Sequence, residues 1–292
     1  MHLYIQNTLI LVSTTEVQRS FFPGDKWLYL KIYVGKFSAN GIITQVFYPI
    51  GKKLIKEGKC TKWFFIRYHD PNHHLRFRLE LTDVSYLMEV LLDIIESING
   101  YIKSNIIWKI QIDTYNREIE RYGKERMIMS EELFYENSMI VSQILLKVSD
   151  EKQHLIYAIT IILDLLEKLD GFDGKTFLSY NASQYKKEFK VNAKTQKQLK
   201  LKYKAIQDEL EKFRLDIGAS EIIRLNIPFR DKVTNYYKAE KKRESFNLFL
   251  SSHIHMFVNR LFSERQREFE LVVYDFSYRQ VNKTINPMKK NM

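Results

Sequence analysis

A single cysteine, Cys60, stands in a chain of 292 residues. No internal disulfide framework and no cysteine-rich zinc site can form, and this usage fits a reducing, cytoplasmic compartment. Five prolines and ten glycines leave little material for long flexible linkers. Long apolar runs are missing too: the most hydrophobic stretch, Leu155 to Leu166, is too short to cross a bilayer and contains Asp164, so no membrane span is expected. The opening segment MHLYIQNTLILVSTTEVQRS carries an apolar run from Leu9 to Val12 but neither a basic leader nor a small-residue cleavage site, which argues against a signal peptide. Acids are in deficit, 35 against 46 Lys and Arg. The net charge of +11 favours contact with an anion, whether nucleic acid, membrane surface or substrate.

What is present is core material. Hydrophobic residues make up 45% and aromatics 14% of the chain, too much for disorder. The expected organisation is an N-terminal extension over 1–24, one domain over 25–280 and a tail over 281–292 that frays. No internal repeat occurs.

The order WLYLKIYVG alternates, with Leu28, Leu30, Ile32 and Val34 on one side and Tyr29, Lys31 and Tyr33 on the other, which predicts a strand with one buried face. WFFIRY at 63–68 and LRFRLEL at 75–81, joined by HDPNHH, predict a hairpin. Thr82 or Asp83 can cap a helix that carries Leu87, Val90, Leu91, Ile94, Ile95 and Ile98 and ends at Asn99-Gly100. A further strand is predicted from Ile107 to Tyr115. Beyond residue 130 the periodicity is helical, in 130–149, 152–169, 195–216, 240–262 and 264–280. The class is therefore α+β: a mainly antiparallel sheet packed with helices in the N-terminal half, and a mostly helical C-terminal half. Lys186 to Arg214 holds ten Lys or Arg against four acids, which by itself reads as a solvated helix face.

Among residues that could do chemistry, Arg76 and Arg78 stand two apart in a strand. They project together about 7 Å apart while Leu75, Phe77 and Leu79 enter the core. Two neighbouring guanidiniums want a common anion; the ordinary alternative is that each pairs with an acid such as Glu80. His69, His73 and His74 crowd the hairpin turn, but adjacent residues of extended chain face opposite ways, so no metal site is expected. His255 lies about 200° around a helix from His253. It shares its face with Asn259 and with Ser251 or Ser252, a polar strip that can hold an imidazole by a hydrogen bond. If a helix starts after Thr114, Arg117 and Arg121 become i,i+4 partners on one face.

WFFIRYHDPNHHLRFRLEL at 63–81, IDTYNREIERYG at 112–123 with ELFYENS at 132–138, and HMFVNRLF at 255–262 follow one another in a characteristic order. In this the chain resembles the C-terminal, glutamate-eliminating domain of class I lantibiotic dehydratases and the separate thiopeptide-type bacteriocin biosynthesis proteins, over roughly residues 25–275. The resemblance implies a lyase in the dehydratase machinery of lantibiotic or thiopeptide biosynthesis. In such systems a glutamyl-tRNA-dependent enzyme esterifies Ser or Thr of a precursor peptide. The eliminating domain then removes glutamate, leaving dehydroalanine or dehydrobutyrine. Carried over motif by motif, the catalytic set is Arg76, Arg78, Arg121 and His255, with Arg67, Tyr115, Asn259 and Arg260 expected to bind substrate. Elimination needs a base at a weakly acidic Cα–H, positive charge where the enolate grows and an anion pocket for the leaving carboxylate; it needs no metal and no organic cofactor. One departure is visible, since relatives often continue ERYGG where this chain has Lys124 after Gly123.

The implied partners are the glutamylated precursor peptide and a separate glutamylating enzyme, because the stretch before Trp27 is too short to hold a glutamylating domain; a homodimer would also serve. Two other readings stay open: a thiopeptide macrocyclase that builds a pyridine from two dehydroalanines, and a non-catalytic module that binds peptide or tRNA.

Overall fold

The computed structural model describes residues 17–240 and 242–285; the run Leu9–Val12 and the last residues of the tail lie outside them. Two antiparallel sheets and 67% helix make the α+β class expected from the sequence. A short strand β1 (Ser20–Phe21) leads into β2 (Trp27–Val34), followed by α1 (Lys36–Ile42), a π-helical turn over Ile43–Phe47, and α2 (Tyr48–Lys56). Strands β3 (Cys60–His69) and β4 (His73–Leu81) form the predicted hairpin, and α3 (Leu87–Lys103) the predicted helix, which runs on through Asn99 and Gly100 rather than ending there. Then come β5 (Ile107–Ile112), β6 (Tyr115–Asn116), α4 (Ile119–Tyr122) and α5 (Met127–Lys147). The rest is helical: α6 (Glu151–Glu167), α7 (Gly174–Glu188), α8 (Ala193–Leu215), α9 (Ile217–Ala239), α10 (Arg243–Leu261) and α11 (Gln266–Ile285).

The main sheet runs β3-β4-β2-β5, every neighbour antiparallel. Register sets its two faces. Leu28, Leu30 and Ile32 of β2 stand opposite Leu79, Phe77 and Leu75 of β4, and this face is buried against α1, α2 and α3. Phe47 stacks flat on Phe77 there, with ring centroids 4.0 Å apart. Helix α1 to α2 carried no periodic signal strong enough to read, because Gly41, Pro49, Gly51 and β-branched residues weaken it locally; packing on the sheet overrides that weakness. Gly51 is required by this contact, since a Cβ there would meet Trp63 Nε1 at 2.1 Å.

The expectation that β2 buries only one face needs correction. Trp27 and Tyr29 on the opposite face are also buried, under the β1–β6 pair and the flanks of α5 and α10. Phe21, Trp27, Tyr115, Phe64 and Phe134 form a chain of ring contacts with centroid separations of 5.1 to 6.4 Å. The strand foreseen from Ile107 to Tyr115 is likewise two strands. It breaks at Asp113 and Thr114, and the second piece leaves the main sheet to pair with β1.

Strand β3 is an edge of the main sheet, and side chains from two helices take up its free backbone groups. Asn259 of α10 behaves as a neighbouring strand would: its Oδ1 accepts from Arg67 N at 3.2 Å and its Nδ2 donates to Arg67 O at 3.1 Å. Arg260 Nε donates to Phe65 O at 2.8 Å, and Ser138 Oγ of α5 accepts from Phe65 N at 3.3 Å. Unpaired buried backbone groups are costly, so these contacts both close the edge and seat α10 against the sheet.

Candidate active site

The face of the sheet away from α1–α3 carries Arg76 and Arg78. Their register partners are Lys31 and Ile66 for Arg76, and Tyr29 and Phe64 for Arg78. The ordinary alternative, pairing with Glu80, does not occur. Glu80 is taken by Lys26 at 2.8 Å, Lys62 at 2.6 Å and Thr61 at 2.7 Å. Burial pushes its carboxyl up, and those donors overcome this and hold it down at about 2. Among the described residues neither arginine is ion-paired. Arg78 is 7% exposed, packed between the rings of Tyr29 at 4.4 Å and Tyr115 at 4.6 Å, with no hydrogen-bond partner on Nε. Arg76 lies 3.3 Å over the ring of Tyr68, and its Nε donates to His74 Nε2 at 3.3 Å. A desolvated guanidinium resting on aromatic faces keeps its positive charge available to an anion.

Arg117 does not join Arg121. Residues 115–116 are extended rather than helical, so Arg117 turns inward onto buried Glu131, with both guanidinium–carboxylate contacts at 2.7 Å. Tyr115 donates to the same carboxylate at 2.8 Å, and this fixes the ring beneath Arg78. Arg121, on α4, stays exposed. It lies over the Tyr122 ring, reaches Ser252 Oγ at 3.4 Å and is only loosely paired with Glu118 at 3.8 Å.

His255 is quarter-exposed, and its Nδ1 lies 2.7 Å from Oε1 of Glu270, a fully buried carboxyl on α11. The polar strip anticipated on α10 is real, but the imidazole's partner comes from the next helix and Asn259 turns to the β3 edge. Burial, then the guanidiniums of Arg121, Arg267 and Arg260, push the imidazole down to about 4. Burial raises the Glu270 carboxyl to about 8 against the pull of Arg121. Three donors nonetheless converge on it, His255 on Oε1 and both Tyr185 OH and Arg267 Nη1 on Oε2, which is the surrounding of an ionised group. A carboxylate accepting from Nδ1 fixes the tautomer that leaves the Nε2 lone pair free, as a general base requires.

His253 is fully buried amid Tyr122, Phe134 and Phe249, and neither ring nitrogen has a hydrogen-bond partner among the described residues. Burial drives its pKa well below the ordinary value, so it is neutral packing. Of the other expected residues, Arg67 pairs across the ladder with Leu75 and therefore sits on the opposite face of the sheet from Arg76 and Arg78. It donates to Asn40 and to Arg260 O. Asn259 and Arg260 serve the edge contacts described above. The hairpin histidines form no metal cluster; no such cluster occurs among the described residues.

One apolar cluster underlies three of the four candidate residues. Tyr29, Phe64 and Tyr115 beneath Arg78, Tyr122 beneath Arg121, and Met256 beside His255 all belong to it. Sequence reasoning missed Glu270, Tyr185 and Arg267. The one available signal was Glu270 itself, a charge on the helical stripe that it shares with Val273, Tyr274 and Ser277.

The model of the lantibiotic biosynthesis dehydratase C-terminal family matches residues 27–281. The chain belongs to this family. It is 28% identical over 190 residues to nisin biosynthesis protein NisB of Lactococcus lactis subsp. lactis, a match covering 63% of this chain and 19% of NisB. With subtilin biosynthesis protein SpaB of Bacillus subtilis it shares 28% identity over 186 residues, 58% of this chain and 17% of SpaB. The chain thus spans less than a fifth of the length of these two lantibiotic relatives. Its fold resembles that of the tRNA-dependent lantibiotic dehydratase MibB from Microbispora sp. 107891, with a TM-score of 0.72 at 18% identity, over 91% of this chain and 29% of MibB. It also resembles the pyridine synthase TbtD from thiomuracin biosynthesis, with a TM-score of 0.63 at 11% identity, over 88% of this chain and 97% of TbtD. At such identities these two likenesses concern the fold alone. Among the described residues no helix is long and apolar enough to cross a membrane.

Proposed function

We propose that this member of the dehydratase C-terminal family removes glutamate from glutamyl esters of Ser and Thr in a ribosomally made precursor peptide, leaving dehydroalanine or dehydrobutyrine. A separate glutamyl-tRNA-dependent enzyme supplies the ester. The observation that carries this reading is a neutral, carboxylate-oriented imidazole together with two strand arginines, Arg76 and Arg78, that have no acid of their own among the described residues. His255 Nε2 takes the Cα proton, and the electron pair left on Cα forms the Cα=Cβ double bond as the Cβ–O bond breaks. The glutamate departs as a carboxylate. Negative charge grows first on the peptide carbonyl and then on the leaving group, and Arg76, Arg78 and Arg121 are the cations available to both. Glu270 does not touch the reacting atoms; it is a positioning residue that holds the imidazole's tautomer and direction.

Mass spectrometry of a peptide bearing a glutamyl ester on Ser tests this, with wild-type protein and the Arg78→Ala and His255→Ala variants. Loss of a whole glutamic acid with wild-type protein only is the expected result. An ester left unchanged by all three proteins would refute the proposal and turn attention to cyclisation or binding.

A further inference from the structure

Between α7 and α10 lies a cleft of about 680 Å³. Its relation to the dyad follows from helix periodicity. On α10, Glu244, Leu248 and Ser251 line the cleft, and His255 continues the same stripe at spacings of four, three and four. On α7, Phe177 and Asn181 line it, and the next residue at that spacing is Tyr185, whose hydroxyl donates to Glu270. By periodicity the stripes of both walls lead toward the His255–Glu270 pair. Ser251 belongs to the cleft, while its neighbour Ser252 accepts from Arg121.

We infer that this cleft is the subsite for an apolar side chain of the peptide being processed, about two to three residues from the Ser or Thr that carries the leaving group. The inference rests on the elimination reading. Ser251 lies about 6 Å and Leu248 about 10.5 Å along α10 from His255 at 1.5 Å per residue, and an extended peptide advances about 3.3–3.6 Å per residue. Phe172, Phe177 and Tyr237 make the floor aromatic, while Leu248 and Tyr180 stand 71% and 63% exposed at its rim. The amide of Asn247 on the same wall suits a peptide backbone group. A concave space of this size takes a side chain with its flanking backbone rather than the broad surface of a second subunit.

The test measures binding and turnover separately. Binding uses peptides in which an amide replaces the labile ester, with Phe or Gly two and three positions from the modified residue, titrated against wild type, Leu248→Asp and Tyr180→Ala. Release of glutamate is followed in parallel from the matching esters. The expected result is about tenfold tighter binding of a Phe peptide by wild type, a ratio near one in Leu248→Asp and an intermediate ratio in Tyr180→Ala. Equal binding of Phe and Gly peptides by wild type would overturn the subsite even where glutamate is released. Discrimination without release would keep the subsite and remove the elimination reading. Self-association of the wild type that Leu248→Asp abolishes would assign the cleft to a second copy of the chain and overturn the inference.

Discussion

Glu270→Gln is the most informative substitution because its outcome is set by hydrogen-bond direction. Tyr185 and Arg267 both donate to Oε2 of Glu270, and His255 Nδ1 faces Oε1. A glutamine in this place must turn its carbonyl oxygen to the two donors, which leaves its NH₂ pointing at Nδ1. The amide then donates to Nδ1, the proton moves to Nε2, and the imidazole presents N–H where the reaction needs a lone pair. A positioned base typically contributes about 10²–10⁴-fold, so kcat is expected to fall by about 10²–10³-fold. The carboxyl is fully buried, so KM should stay within about threefold. The pH profile carries a second signature. In wild type burial and the guanidiniums of Arg121, Arg267 and Arg260 lower the imidazole's pKa while the ionised Glu270 opposes them, so removing that carboxylate in Glu270→Gln should move the acid limb of the residual kcat/KM to lower pH. Initial rates of glutamate release from an esterified peptide between pH 4 and 8, with circular dichroism to confirm folding, make the measurement. A folded Glu270→Gln protein with wild-type kcat would refute the orientation argument.

Asn259→Leu keeps the side-chain volume but frees both backbone groups of Arg67, each costing about 1–3 kcal/mol when left unpaired, so a stability loss of about 2–4 kcal/mol is expected in denaturant unfolding. Unchanged stability with lost activity would instead mark Asn259 as a substrate contact. For pH, burial holds His73, His154 and His253 below their ordinary value. The unfolded chain therefore takes up more protons than the folded one below about pH 6.5, and stability present above that pH is lost as pH falls. A second loss follows below about 4.5 as Glu80, held at about 2, is forced to take a proton. Unfolding midpoints that stay flat from pH 7.5 to 5 would contradict the first step.

Helices α7 and α9 were not foreseen, whereas the strand at 27–35, the hairpin at 63–81 and five of the helices after 130 were legible because each is a local pattern. So was the pairing of Arg76 with Arg78, since residues two apart in a strand share a face whatever the rest of the chain does. What local pattern could not decide was which of several polar residues meet. Arg67 belongs to the same strand motif yet faces the core, and Asn259 continues the strip of His255 yet turns to the strand edge, because an edge strand's unpaired backbone competes for nearby amides and guanidiniums. Arg117 goes to Glu131 because β6 pairs with β1, a contact between segments almost a hundred residues apart that no window of sequence contains. The proposed base is the clearest division. The motif supplied His255, but its tautomer comes from a glutamate on the following helix and a tyrosine three helices before, which only packing of α7, α10 and α11 brings to one carboxylate.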